Sequence, residues 1–192
     1  MVDVPLKCSC GKVEGVARGV SPNTGNRAIC HCDDCQDFAK FLGREEDILN
    51  ANGGTDIYQL YPYQVNLTKG VEQLRCIHLT PKKLYRWFTA CCKTPVGNTI
   101  SASLPFVGVI HNFMDDEGVR DQNIGPVAYY VQGRFARGSY PDRQIHPKFP
   151  IGLTARIIWM FIGGKMRGKN QPSPFYNPAG EPVSEPVVHS AD

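Results

Sequence analysis

Along most of the chain, apolar and polar residues alternate in short runs instead of recurring at helical spacing. That period marks strands with one buried face. Such runs cover 6–19, broken by a turn around Cys8-Ser-Cys10-Gly11, and then 27–30, 55–61, 63–68, 73–80, 83–91 and 96–101. Turns rich in Pro, Gly or Lys separate them at intervals of eight to twelve residues, which predicts antiparallel hairpins in a twisted sheet or sandwich. Two further strands are expected at 106–113 and 127–132, with a polar loop at 115–123 between them. Tyr58, Tyr61, Tyr63, Tyr85, Trp87 and Phe88 are expected to supply much of the core.

Helical signals are few. Asp33 and Asp34 read as N-cap and first-turn acids of a short helix at 35–41. A second short helix is expected at 45–51, ended by Asn52-Gly53-Gly54. The best helix is 152–166, with six consecutive apolar residues at 157–162 and a basic end at Lys165, Arg167 and Lys169. Apolar side chains on nearly every side predict that this helix is buried or lies at a subunit interface, with a membrane-surface role as the alternative. Beyond Gln171, five prolines in 15 residues predict an extended tail. The fold class is therefore mainly β with short helices and a C-terminal helical and extended extension.

Composition narrows the class. A chain of 192 residues, 42% hydrophobic and 20% charged, fits a folded globular protein. No run approaches the ~18 apolar residues of a membrane span. The first residues show neither a basic n-region nor an apolar h-region, so the expected location is cytoplasmic. Net charge is only +3. It is unevenly spread: 134–169 holds eight basic residues against one acid, Asp142. Such a field attracts anionic small molecules, nucleic acid or acidic lipid. Nucleic acid is the weaker candidate, because the aromatic stacking pattern of a dedicated module is missing.

The eight cysteines carry the strongest chemical signal. Cys8 and Cys10 form C-x-C, Cys30, Cys32 and Cys35 form C-H-C-x-x-C, Cys91 and Cys92 are adjacent, and Cys76 stands alone. Neighbours this close bridge each other only with strain, whereas tight turns converge sulfurs well on one ion at about 2.3 Å. Sulfur-rich tetrahedral sets favour zinc, with iron second. The seven clustered cysteines divide into Cys8, Cys10, Cys91 and Cys92 as a closed structural site, and Cys30, Cys32 and Cys35 as a set with one open position. A closed version of the triplet, completed by His31, Asp33 or Asp34, is the alternative. Cys76, in an alternating apolar run, reads as a core residue. A thioredoxin-like reading of Cys32-Asp-Asp-Cys35 lacks its βαβ context.

Cys8-Ser-Cys10-Gly11, Cys30-His-Cys32-Asp-Asp-Cys35-Gln36 and Tyr85-Arg-Trp-Phe-Thr-Ala-Cys91-Cys92-Lys-Thr-Pro occur in an order that resembles the glutathione-dependent formaldehyde-activating enzyme (GFA) family, which includes the centromere protein V-like proteins. The resemblance covers roughly 5–105. It implies an Mss4-like β-tent of antiparallel sheets, with one structural zinc and one zinc at an open, catalytic site held by Cys30, Cys32 and Cys35. Where that family has C-x-x-C after the aromatic strand, this chain reads Thr89-Ala-Cys91-Cys92, so that Cys91 stands in for the ligand expected at Thr89, or the site holds three sulfurs and another ligand. The division that follows is a zinc-binding GFA-like core at 1–105 and an extension at 106–192 packed on it.

The implied activity is that of a zinc-dependent carbon–sulfur lyase acting on adducts of an aldehyde with a small-molecule thiol such as glutathione. Three thiolates leave zinc with net negative charge, which suits a sulfur ligand better than activation of water. Asp33, Gln36 and Thr55 are the candidate substrate-binding residues beside the triplet. Carboxylates of a glutathione-like thiol would meet a basic wall from 134–169, or Arg75 and Arg86. The competing class is a non-catalytic zinc-stabilised module that binds protein or nucleic acid.

Overall fold

The computed structural model describes residues 1–79, 84–138, 140 and 145–188, and among them the protein is mainly β. Eleven strands are present: β1 (Val2–Lys7), β2 (Glu14–Val20), β3 (Asn26–Cys30), β4 (Thr55–Leu60), β5 (Val65–Lys69), β6 (Leu74–His78), β7 (Tyr85–Thr89), β8 (Pro95–Thr99), β9 (Val107–Ile110), β10 (Tyr129–Val131) and β11 (Pro186–Val188). Four α-helices join them: α1 (Asp33–Leu42), α2 (Glu45–Ile48), α3 (Arg120–Ile124) and α4 (Ile151–Met166). Thr80 and Lys83, at the ends of two expected strands, and Asp142 and Arg143 of the basic stretch lie outside the described residues.

Strands β1, β2 and β5 form a small sheet, and the others form an eight-stranded sheet in the order β10-β3-β4-β9-β8-β7-β6-β11. Pairing is antiparallel except at the two edges, where β10 runs parallel to β3 and β11 parallel to β6. β9 lies between β4 and β8, so residues beyond 105 complete the middle of the large sheet.

The two-residue period explains how this sheet sits between two cores. Tyr58, Cys76, Trp87 and Val109 face the small sheet, together with Val4, Leu6 and Ala17. Their chain neighbours Ile57, Ile77, Phe88 and Ile110 face the other way, against Phe38, Ala39 and Leu42 of α1. The C-terminal segment enters the first core. Phe175 and Tyr176 are buried, and Trp87 Nε1 donates to Thr99 Oγ1, which lies 2.7 Å from the Tyr176 hydroxyl. Of the six aromatics expected in the core, Tyr58, Trp87 and Phe88 are buried, while Tyr63 is 40% exposed.

Three local expectations are corrected. Cys32, not Asp33, occupies the N-cap of α1, and both aspartates fall in its first turn without a side-chain cap bond. α2 makes only one turn, because Leu49 turns to extended geometry and bridges to Thr55. The helix expected to be buried or to lie at a subunit interface is not buried within the chain: α4 buries Leu153, Met160 and Gly164, while Ile151, Ile158, Trp159, Ile162 and Met166 are exposed. Gly164 permits this seating, since a Cβ there would come within 2.6 Å of the Tyr61 ring and 2.8 Å of Pro105. Among the described residues, no helix is long and apolar enough to cross a membrane.

Two candidate metal centres

The first cysteine set forms where the end of β1 meets the end of β7. After β1 the chain curls back through Gly11, whose φ of 71° suits a residue without Cβ, and Gly11 N–H donates to Cys8 O. After β7, Lys93 takes φ 53° and its N–H donates to Thr89 O, which brings Cys91 and Cys92 round in a tight turn. The sulfurs of Cys8, Cys10, Cys91 and Cys92 all lie within 4.8 Å of one another. Individual separations are 3.6 Å for Cys8–Cys10, 3.4 Å for Cys10–Cys91, 3.9 Å for Cys8–Cys91 and 3.7 Å for Cys91–Cys92. Four sulfurs at about 2.3 Å from a tetrahedral zinc stand about 3.8 Å apart. The set therefore fits such an ion.

Cys91 thus joins this set, and Thr89 does not. The Thr89 side chain is fully buried, accepts the Thr94 N–H at 3.1 Å and contacts Cys92 Sγ at 3.4 Å. Thr94 Oγ1 lies 3.2 Å from the same sulfur, and Val13 N–H donates to Cys8 Sγ. Burial would push the Cys92 thiol up, yet hydrogen bonds from the Thr89 and Thr94 hydroxyls and from Cys10 together bring the pKa down to about 5. Arg44 ties the turns together by donating to Thr94 Oγ1, Cys92 O and Ser9 Oγ. The roles of Arg44, Thr89 and Thr94 in this network are not legible from spacing, because its members come from three separate stretches.

The second set forms at the junction of β3 and α1. Cys30 ends the strand, Cys32 is the N-cap and Cys35 lies in the first helical turn, with the three sulfurs within 4.8 Å of one another. Cys30 and Cys32 are 3.5 Å apart. Among the described residues no fourth His, Cys, Asp or Glu belongs to this group. His31 is fully buried beneath it, its Nδ1 3.0 Å from Val131 O and its Nε2 against the Tyr140 hydroxyl. Asp34 Oδ2 lies 3.7 Å from Arg86 Nη2, and Asp33 Oδ1 accepts the Asp34 N–H.

Arg86 dominates the electrostatics here. It projects from β7, is 2% exposed, and places Nη1 3.8 Å from Cys35 Sγ and 3.4 Å from Asn98 Oδ1. Hydrogen bonds from Cys30 and Cys32, together with this guanidinium, hold Cys35 well below the usual thiol range. A buried thiolate next to a cation, at the start of a ten-residue helix, is a preformed soft-metal ligand.

A cavity of about 410 Å³ opens in front of the triplet. Its lining includes Cys30, Cys32, Asp33, Asp34, Cys35 and Arg86 together with Phe106, Phe149, Ile157 and Phe161. Of the candidate substrate-binding residues, Asp33 alone borders it. Gln36 spends its amide on the fold: Nε2 donates to His31 O and Phe135 O, and Oε1 accepts from Arg137 Nε. Thr55 pairs with Cys30 across the sheet and is buried, its hydroxyl without a partner among the described residues. Arg75 donates to Glu72 O and Leu74 O and stays out of the cavity. Among the described basic residues of 134–169, only Arg134 borders it. Gln132 and Asn98 also line the cavity and carry no sequence signal; they arrive from the turn after edge strand β10 and from β8. Cys76 is a core residue, as expected, donating to Ser184 O.

In comparison with known proteins, the family described as "Family of unknown function (DUF6151)" matches residues 1–187. No curated protein matches the chain. A crystal structure of a Rhodobacter sphaeroides protein, a Northeast Structural Genomics target, is similar over 61% of this chain and 93% of its own, with 16% identity and a TM-score of 0.40.

Proposed function

This chain belongs to the DUF6151 family of unknown function, and we propose that it is a zinc enzyme that makes or breaks the carbon–sulfur bond between a thiol and an aldehyde. One observation carries this reading: seven cysteines divide into a set of four that can close round an ion, and a set of three at the end of a cavity of about 410 Å³. Four protein ligands suit a structural zinc, and three leave room for a reactant. The resemblance to the glutathione-dependent formaldehyde-activating family supports the same division of labour.

Cys30, Cys32 and Cys35 would hold the reactive ion, which supplies a soft Lewis acid able to keep a bound thiol ionised. Arg86 offsets the negative charge of three thiolates and fixes Asp34. In the forward step the sulfur bonds to the carbonyl carbon, the C=O π pair moves to oxygen, and the thiol's proton ends on that oxygen. The reverse step breaks the C–S bond and returns the proton to sulfur. Asp33 lines the cavity and has no arginine partner among the described residues, so it is the carboxylate assigned to carry this proton. On this reading residues 1–105 carry both cysteine sets, and 106–192 close the cavity's outer wall.

The test is zinc content together with formation of the thiohemiacetal from ethanethiol and ¹³C-formaldehyde, followed by NMR exchange. Two zinc ions per chain and exchange faster than without protein are expected, with the acceleration lost in Cys32→Ser. One ion per chain, or exchange at the uncatalysed rate, overturns the proposal. The exposed apolar face of α4 favours a second reading, a zinc-stabilised binding module, which predicts two ions and no acceleration.

A further inference from the structure

The walls of the triplet's cavity say what kind of molecule fits there. Besides the cysteines its lining includes Ile57, Ile100, Phe106, Phe149, Ile157 and Phe161, with the Phe106 and Phe161 rings edge to face at 5.8 Å. The charged residues that line it are Asp33, Asp34, Arg86 and Arg134. Arg86 is already committed to Cys35, Asp34 and Asn98. Arg134 is exposed, with its guanidinium 4.6 Å from the Phe135 ring. Among the described residues that line the cavity, a peptide thiol with two carboxylates would thus find Arg134 as the one cation outside the cysteine cluster, and would bury its polar backbone against phenylalanine. One acceptor is left over: Gln132 Oε1 is buried without a partner among the described residues, on a residue held at φ 59°.

We infer that the substrate of this site carries an extended alkyl or aromatic group, seated between α4 and the sheet, and presents one hydroxyl-type donor to Gln132. The inference rests on the reading of the triplet as a reactive metal site only for the substrate's other end. The experiment titrates zinc-loaded full-length protein with ethanethiol, butanethiol, hexanethiol, glutathione and hexanol. Affinity is expected to rise about fourfold per added methylene, and glutathione to bind no better than ethanethiol. Phe161→Ala should weaken hexanethiol about tenfold and leave ethanethiol unchanged, with a thermal melt to show that the variant folds. A flat series, or glutathione as the tightest ligand, overturns the inference. Hexanol binding as strongly as hexanethiol, with no thiol altering the spectrum of cobalt-substituted protein, upholds the apolar site and removes the metal–thiol reading instead.

The outer face of α4 carries a second inference independently. Ile151, Trp159 and Met166 are 88%, 71% and 83% exposed, with Ile158 and Ile162 between them. Residues 145–180 contain five lysines and arginines and no acid. Packing this helix on a second copy of itself would bring two segments of like positive charge together. Charge complementarity favours an anionic partner, and the apolar row favours a lipid one. The structure assigns this face to the surface of an anionic bilayer. Trp87 is fully buried, so a change in tryptophan emission reports Trp159. Vesicles with 30% phosphatidylglycerol should shift emission to the blue and sediment the protein, and pure phosphatidylcholine should do so at least tenfold more weakly. Trp159→Glu with Ile158→Glu should abolish sedimentation. No shift with anionic vesicles overturns the assignment, as does a concentration-dependent dimer that buries Trp159 without lipid.

Discussion

Removing a ligand from each cysteine set should have unequal consequences, and the inequality can be worked from chain separation. Cys10 and Cys91 lie 81 positions apart, so an ion at the first set closes a long loop. By the loop-entropy relation used for cross-links, such a closure is worth about 4.5 kcal/mol, whereas a closure across 30–35 is worth about 2 kcal/mol. A domain of this size has only about 5–15 kcal/mol in total. Cys91→Ser should therefore cost roughly 4 kcal/mol and leave the protein marginally folded, while Cys32→Ser should cost about 2 kcal/mol or less and stay folded. Urea unfolding, with zinc content measured on the same samples, gives both numbers. Each variant should lose one ion. Equal destabilisation, or a larger loss in Cys32→Ser, would refute the assignment of structural and open roles.

Other outcomes follow from single residues. Arg86→Met removes the buried cation beside Cys35 and Asp34, and should weaken zinc at the triplet 10- to 100-fold in a chelator competition while sparing the first set. Cys76, which burial pushes up to about 12, should resist iodoacetamide at pH 8 in the folded protein and react in urea; equal rates would contradict its place in the core. Burial lowers the His111 imidazole below its ordinary 6.5, with the Asp56 carboxylate offsetting only part of this. The unfolded chain then takes up a proton that the folded one refuses, so stability should fall as pH drops below about 6.5. His111→Gln should flatten that decline in urea midpoints measured from pH 7.5 to 5.

Much of the β framework is legible from alternation, because a half-buried strand must place every second residue toward a core. β4 and β7 show this plainly: Ile57 and Phe88 face one core while Tyr58 and Trp87 face the other. The apolar run of α4 left burial in the chain and a subunit interface as alternatives, and within the chain α4 is not buried. An apolar run declares only that side chains avoid water in some state of the protein, and it does not say which neighbour covers them. Where expected helices ran long, as at 45–51, a long-range bridge from Leu49 to Thr55 ended the turn that local preference would have continued.

Two things are determined by the sequence alone: where most of the strands form, and which atoms have metal-binding chemistry. Both depend on neighbours within a few positions, as in C-x-C, C-x-x-C and the two-residue period. Tertiary structure alone decided that Cys91 and not Thr89 completes the set of four, that Arg86 stands against Cys35, and that α4 roofs an apolar cavity while turning its other side outward. These arrangements join positions some 50 to 130 residues apart, and they follow from the packing of a whole sheet, which short-range pattern does not encode.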